Sequence, residues 1–182
     1  YDRKNKVQQT DVYDLASLTK ILGGLPLIMK AEELGMFSLD TSLEELLSSY
    51  KGSNKDTLTV KELLSHTARL KAWIPFYRKT LDSLSQKPLS KYYQKEQSED
   101  YAIEVAAALY LRTDLKDTLY QEVRDVAQRE EPGYKYSGLP FFMFNKYLEE
   151  NFPLGMKETL HAQFFNRLGA MSLGYHPLER MP

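Results

Sequence analysis

The segment Tyr13-Asp14-Leu15-Ala16-Ser17-Leu18-Thr19-Lys20 leads into the longest helical pattern of the chain. Apolar residues recur at helical spacing beyond it and predict a helix over residues 17–34, closed by Gly35. Pro26 should kink this helix because its nitrogen cannot donate a backbone hydrogen bond. Gly23-Gly24 is a poor helical pair, which indicates close packing or a functional constraint at that point.

Ser17 and Lys20 are one helical turn apart and therefore lie on the same face. A serine hydroxyl is a poor nucleophile until it loses its proton, and a lysine held over it can accept that proton or stabilise the alkoxide. A helix start adds partial positive charge and an amide donor for a developing oxyanion. By spacing alone, an ordinary N-cap remains the commoner role for Ser17. The run Ser48-Ser49-Tyr50-Lys51 carries the same pattern, and we assign it no function.

Composition narrows the classes of function. The 182 residues are 42% hydrophobic and 27% charged, which is typical of a soluble globular protein with a hydrophobic core. Because the net charge is −1, we do not expect a nucleic-acid partner. Cysteine is absent, which excludes disulfides, thiolate metal sites and a cysteine nucleophile. No apolar run approaches the roughly 20 residues of a membrane span. His66, His161 and His176 lack metal-ligand spacing, so we predict no metal and no cofactor, and we expect His66 to form a hydrogen bond near a helix end.

The remaining pattern predicts a mainly α chain with few strands. Thr59 and Glu62 form a capping-box signature ahead of a short helix over residues 60–65. Residues 72–98 are polar with weak periodicity and are expected to form a long surface excursion, while residues 103–111 fit a strand or a helix equally well. Further helices are predicted over residues 114–127, 139–151 and 157–165.

Several ordered segments resemble the β-lactamase-related serine hydrolases, which include class C β-lactamases, penicillin-binding D-Ala-D-Ala carboxypeptidases and esterases. Residues 13–20 resemble the segment that carries the nucleophile in that family. Residues 59–67, Thr-Val-Lys-Glu-Leu-Leu-Ser-His-Thr, resemble a second family segment, in which a glycine stands at the position of Arg69. If that glycine serves a positive φ, Arg69 is strained. Residues 168–178 resemble a third segment.

The same resemblance assigns a tyrosine motif to Tyr136-Ser137-Gly138. Tyr136 would exchange a proton between Ser17 and the leaving group, with Tyr134 as the alternative tyrosine. An ordinary tyrosine pKa is about 10, so a useful base needs a nearby cation such as Lys20. Ser137 and Gly138 would contact substrate. Gly138 stands where the family usually has asparagine or aspartate, and this departure weakens the case for ordinary β-lactam chemistry.

The resemblance implies a partial β-lactamase/transpeptidase-like α+β domain over residues 1–182, with a helical lobe and little of the central sheet. The family's early strands and its third motif, Lys-Thr-Gly or His-x-Gly, have no counterpart in this sequence. That motif supplies an oxyanion donor, whose loss costs about 10²–10³ in rate, so we expect this chain to be weakly active or inactive.

The function implied is acyl transfer from an amide, ester or β-lactam carbonyl through an acyl-enzyme on Ser17. The alternative is an inactive family member that binds a cell-wall or glycan fragment or supports an attached enzyme. Among the members of this family, the chain looks most like the domain found behind family-three glycoside hydrolases. A peptidoglycan-like or other small-molecule substrate and a location in the cell envelope or periplasm follow from the resemblance alone.

Overall fold

A computed structural model describes residues 6–175 of the chain. Helices dominate these residues, and strands form one small sheet, which confirms the predicted mainly α fold with little of the central sheet. The α-helices are α1 (Leu25–Glu33), α2 (Leu43–Leu46), α3 (Val60–Leu64), α4 (Leu115–Asp125), α5 (Leu139–Asn151) and α6 (Gly155–Leu160). Shorter helical turns are π-helical at Lys20–Gly24 and His161–Phe165 and 3₁₀ at Ser48–Tyr50 and Phe76–Thr80.

The sheet has three antiparallel strands in the order β1 (Tyr93–Gln94), β3 (Leu109–Leu111) and β2 (Ile103–Ala106). Strands β2 and β3 form a hairpin with Ile103 opposite Leu111, so the ambiguous segment 103–111 is β-structure. Ala108 turns the chain with a φ of 51°. The excursion expected over residues 72–98 contributes β1 and a 3₁₀ turn and is otherwise irregular.

Helix α5 is the centre of the core, since it contacts α1, α4 and α6. Its aromatic and aliphatic residues belong to one buried cluster with apolar residues of α1, α2 and α3. The fully buried members of this core include Leu27, Leu43, Leu63, Leu139, Met143, Phe144, Leu148 and Leu160. The core thus fixes α5 relative to the helical segment that follows Ser17.

The unusual residues of the first helix have a packing role. A Cβ at Gly24 would lie 3.1 Å from the ring of Phe141, and a Cβ at Gly23 would collide with the hydroxyl of Tyr175. Where the sequence predicts a kink at Pro26, the structure changes from π-helix to α-helix, and the proline lies in the first turn of α1. The helix is continuous across this junction, since the Leu25 amide still donates to the Lys20 carbonyl, whereas the proline nitrogen has no hydrogen to donate.

The predicted capping box at α3 is confirmed. The Glu62 amide donates to Thr59 Oγ1 at 3.2 Å, and the Thr59 amide donates to Glu62 Oε2 at 2.9 Å. Each residue therefore satisfies an N–H that the helix leaves open. The box sets the direction in which α3 leads into residues 65–72, which reach the candidate site.

Lys55 is a fully buried cation that closes the end of α4. Its ammonium donates to Asn54 Oδ1 at 2.7 Å, to the Arg124 carbonyl at 2.6 Å and to the Val126 carbonyl. Three donors thus meet three acceptors, two of which are carbonyls at a helix C-terminus. Burial lowers the pKa of Lys55 to about 8.

We predict that Lys55→Met destabilises the fold by about 3 kcal/mol, because two buried carbonyls lose their donor while the side-chain volume is kept. Lys51→Met, at an exposed position, should change the free energy of unfolding by less than about 0.5 kcal/mol. Urea denaturation followed by circular dichroism measures both. Equal stability of the two variants would show that the buried ammonium contributes no net hydrogen-bond energy.

Candidate active site

Ser17 is presented by a strained turn. Ala16 has a φ of 44°, which is unusual for a residue with a Cβ, and its amide donates to Asp14 Oδ1 at 2.8 Å. The helical turn then starts with two backbone hydrogen bonds. The Leu18 amide donates to the Leu15 carbonyl, and the Thr19 amide donates to the Ala16 carbonyl. Ser17 therefore lies exposed at the entrance of the helix. Sequence periodicity predicts the helix but carries no signal for the positive φ.

Lys20 reaches back over Ser17. Its Nζ donates to Ser17 Oγ at 3.2 Å, as the spacing of one turn predicts. The same Nζ lies 5.8 Å from the centre of the Tyr136 ring and 5.9 Å from that of Phe141. The ammonium is thus held between the serine and two aromatic rings, with which it makes cation–π contacts.

Tyr136 joins Ser17 and Lys20 from a distant part of the chain. Hydrogen bonding to Ser17, then hydrogen bonding to Lys20 and its positive charge, lowers the pKa of the Tyr136 phenol. Tyr136 as a whole remains 44% exposed, so the residue is open to solvent. Tyr134, the other candidate tyrosine, is 70% exposed, and its ring contacts that of His66 at 6.0 Å between centres.

The loop that carries Tyr136, residues 134–138, is called the tyrosine loop below, and it is bonded to residues 66–72, called the histidine segment. The amide of Lys135 donates to the His66 carbonyl at 2.9 Å, and the amide of Gly138 donates to the Ala72 carbonyl at 2.9 Å. The Ser137 hydroxyl donates to the Lys71 carbonyl at 2.6 Å. These bonds fix the loop in register against the segment.

Ser137 and Gly138, predicted to contact substrate, occupy different positions. Ser137 is 1% exposed, and its hydroxyl also accepts the Leu139 amide at 3.1 Å, so this side chain is committed to the loop itself. Gly138 faces the site. A Cβ there would lie 3.9 Å from Lys20 Cε, which is ordinary contact, and its φ of −79° suits any residue. The space beside Lys20 is therefore open at this position.

His66 belongs to the site through contacts that the sequence pattern leaves open. The Ser137 amide donates to His66 Nδ1 at 3.3 Å, in line with the hydrogen bond expected near a helix end. The imidazole also lies 4.9 Å from the centre of the Tyr136 ring. Burial, followed by the positive charge of Lys20, lowers the pKa of His66.

A cavity of about 350 Å³ opens at this cluster. The residues that line it include the polar cluster of Ser17, Lys20, His66 and Tyr136. The rest of its lining is apolar and comes from Leu15, Leu18, Ile21 and Phe141. A nucleophile, a cation and a phenol of lowered pKa beside an apolar wall can attack a carbonyl and move the proton that the attack releases.

A family model described as Beta-lactamase matches residues 1–169. The chain belongs to the β-lactamase family. A solved structure from Bacteroides dorei DSM 17855, titled as a "putative beta-lactamase", is similar at 16% identity and a TM-score of 0.45. The match covers 73% of this chain but 31% of that one, so this β-lactamase-family chain spans about a third of its neighbour's length. No curated protein matches the chain.

Within residues 6–175, every helix is too short or too polar to cross a membrane. The described part of the chain also holds no group of histidine and carboxylate side chains arranged to bind a metal. His176 and the end of the resembling segment 168–178 lie outside the described residues.

Arg69 has a φ of 54°, so the position where the resemblance places glycine does require a left-handed backbone. We predict that Arg69→Gly raises the free energy of unfolding by about 1 kcal/mol, since glycine removes the clash of a Cβ in that region. Arg78→Gly, in the 3₁₀ turn, should instead lower it by about 0.5–1 kcal/mol. Chemical denaturation of both variants tests this contrast, and a destabilised Arg69→Gly would contradict it.

Proposed function

We propose that this chain is part of a serine acyl-transfer hydrolase, with Ser17 as nucleophile and Lys20 and Tyr136 as its proton-handling partners. The observation that carries the proposal is the meeting of these three groups, since Lys20 Nζ lies 3.2 Å from Ser17 Oγ and both groups lower the pKa of Tyr136. Membership of the β-lactamase family supports the same chemistry.

In this mechanism Ser17 Oγ attacks the carbonyl carbon of an amide, ester or β-lactam while its proton passes to the phenolate form of Tyr136. Lys20 stabilises the negative charge on both oxygens, and the Ser17 amide at the helix start donates to the developing oxyanion. Tyr136 then protonates the leaving group as the tetrahedral intermediate collapses to the acyl-enzyme. Water then attacks the acyl-enzyme carbonyl and gives a proton to Tyr136, and Tyr136 passes a proton to Ser17 Oγ as the acid departs.

The wider setting is part of the proposal. Residues 1–182 would form one part of a β-lactamase-related serine hydrolase domain, the kind found behind family-three glycoside hydrolases. The substrate would be a small molecule or a peptidoglycan-like fragment met in the cell envelope or periplasm. The apolar wall of the cavity suits an acyl group with little charge.

The alternative is a family member that binds such a fragment without cleaving it. The observation in its favour is Gly138, which leaves open the space beside Lys20 where a side-chain amide would hold the lysine or the substrate. The two functions differ in whether Ser17 becomes covalently modified, so the following measurement separates them.

We expect a fluorophosphonate probe to label Ser17 in the full-length protein of which this chain is proposed to be a part, as detected by gel fluorescence and peptide mass spectrometry. Ser17→Ala should abolish the label. Ser48→Ala is the matched control, since Ser48 starts the second Ser-x-x-Lys run, and it should label like the wild type. Absence of wild-type labelling, or equal labelling of Ser17→Ala, would contradict the hydrolase and favour the binding function.

Tyr136→Phe should slow labelling of Ser17 by about 100-fold, because general-base assistance typically contributes 10²–10⁴. Tyr134→Phe is its control, since that hydroxyl belongs to the same loop but not to the trio, and it should leave the rate unchanged. Labelling reactions with the same probe, quenched at successive times, give both rates. If Tyr136→Phe labels at the wild-type rate, the phenol takes no part in activating the serine.

A further inference from the structure

His66 is the group that couples the tyrosine loop to the charge of the site. It meets that loop three times, through its carbonyl to the Lys135 amide, its Nδ1 to the Ser137 amide and its ring to Tyr136. The first two contacts bracket Tyr136 in the sequence. The backbone on either side of the phenol is therefore fixed by one residue.

The Ser137 bond determines the protonation state of the imidazole. Nδ1 accepts a hydrogen at 3.3 Å, so it carries a lone pair, and the single proton of the neutral ring lies on Nε2. A proton added to Nδ1 would face the Ser137 N–H, and two donors cannot share a hydrogen bond. Protonation of His66 therefore breaks the bond next to Tyr136.

The groups around His66 oppose that protonation. Lys20, on the π-helical turn, adds positive charge, and burial disfavours a second cation. Tyr134 and Tyr136, from the tyrosine loop, present their rings at 6.0 and 4.9 Å between centres. In the described part of the chain no carboxylate pairs with the ring, so nothing there offsets the repulsion from Lys20.

The backbone narrows which residues can stand at this position. His66 has a φ of 57°, a conformation that glycine, asparagine, aspartate and histidine adopt more readily than other residues. Glycine offers no acceptor to Ser137 and no ring to Tyr136. Asparagine tolerates the backbone and can present its side-chain oxygen close to the position of Nδ1. These two substitutions therefore separate the backbone requirement from the side-chain role.

We propose that neutral His66 is the positioning residue for Tyr136. Its protonation releases the tyrosine loop and so causes the fall in the rate of Ser17 acylation at low pH, the acid limb of the pH–rate profile. The proposal rests on the proposed hydrolase function for its kinetic consequence. It assigns His66 no proton transfer with substrate. The imidazole acts by keeping the phenol within reach of Ser17.

The kinetic test is the rate of fluorophosphonate labelling of Ser17 between pH 5 and pH 8. His66→Gly should lower the rate by about tenfold or more, because small displacements of a catalytic group are costly. His66→Asn should recover most of that loss and remove the part of the acid limb due to the imidazole. His161→Asn, at a histidine of the π-helical turn His161–Phe165, should keep the wild-type profile. An unchanged acid limb in His66→Asn, or a wild-type rate in His66→Gly, overturns the proposal.

A second measurement separates failure of this proposal from failure of the hydrolase function. Nitrogen-15 NMR of the wild type should show His66 as the Nε2–H tautomer with a pKa below 6.5, and the Ser137 amide should shift along the same titration curve. In His66→Asn the Ser137 amide should no longer titrate, whether or not Ser17 reacts. If the Ser137 amide signal does not shift as His66 titrates, or if His66 carries its proton on Nδ1, the positioning role is contradicted.

Discussion

The geometry of the candidate site depends on the hydrogen bonds between the tyrosine loop and the histidine segment. Three elements distant in sequence supply the site, namely the turn at Ser17, residues 66–72 and residues 134–138. The first is a local turn, and its serine and lysine meet by helical spacing alone. The phenol of Tyr136 has no such local constraint, so its distance from Ser17 is set by bonds from residues 135, 137 and 138 to the histidine segment.

Packing then holds the two halves of the site together. Helix α5 begins at Leu139, directly after the tyrosine loop, and its Phe141 ring packs against Gly24 in the helix that follows Lys20. The same ring lies 5.9 Å from Lys20 Nζ. Because glycine at position 24 lets the two helices approach, the absence of a side chain there contributes to where the ammonium lies. The poor helix formers of the first helix are thus explained by close approach.

Much of this arrangement could be predicted from local pattern. The capping box at Thr59 and the helix over residues 139–151 follow from spacing rules and are present as predicted. The hairpin at residues 103–111 could not be distinguished from a helix, because a short apolar run fits both periods. The contact of His66 with Tyr136 is made between two turns in which φ is positive, at His66 and at Gly133. Periodicity carries no information about such turns.

Lys20 has an electrostatic effect on every titratable partner in the site. Its charge helps to lower the pKa of Tyr136, which favours the phenolate that can accept the serine proton, and it also lowers the pKa of His66, which favours the neutral imidazole. Both effects act in the same direction on the reaction, since a neutral His66 preserves the bond that holds Tyr136. One ammonium therefore favours the reactive protonation state and the reactive geometry together. A substitution that removed the charge would weaken both, even with the fold intact.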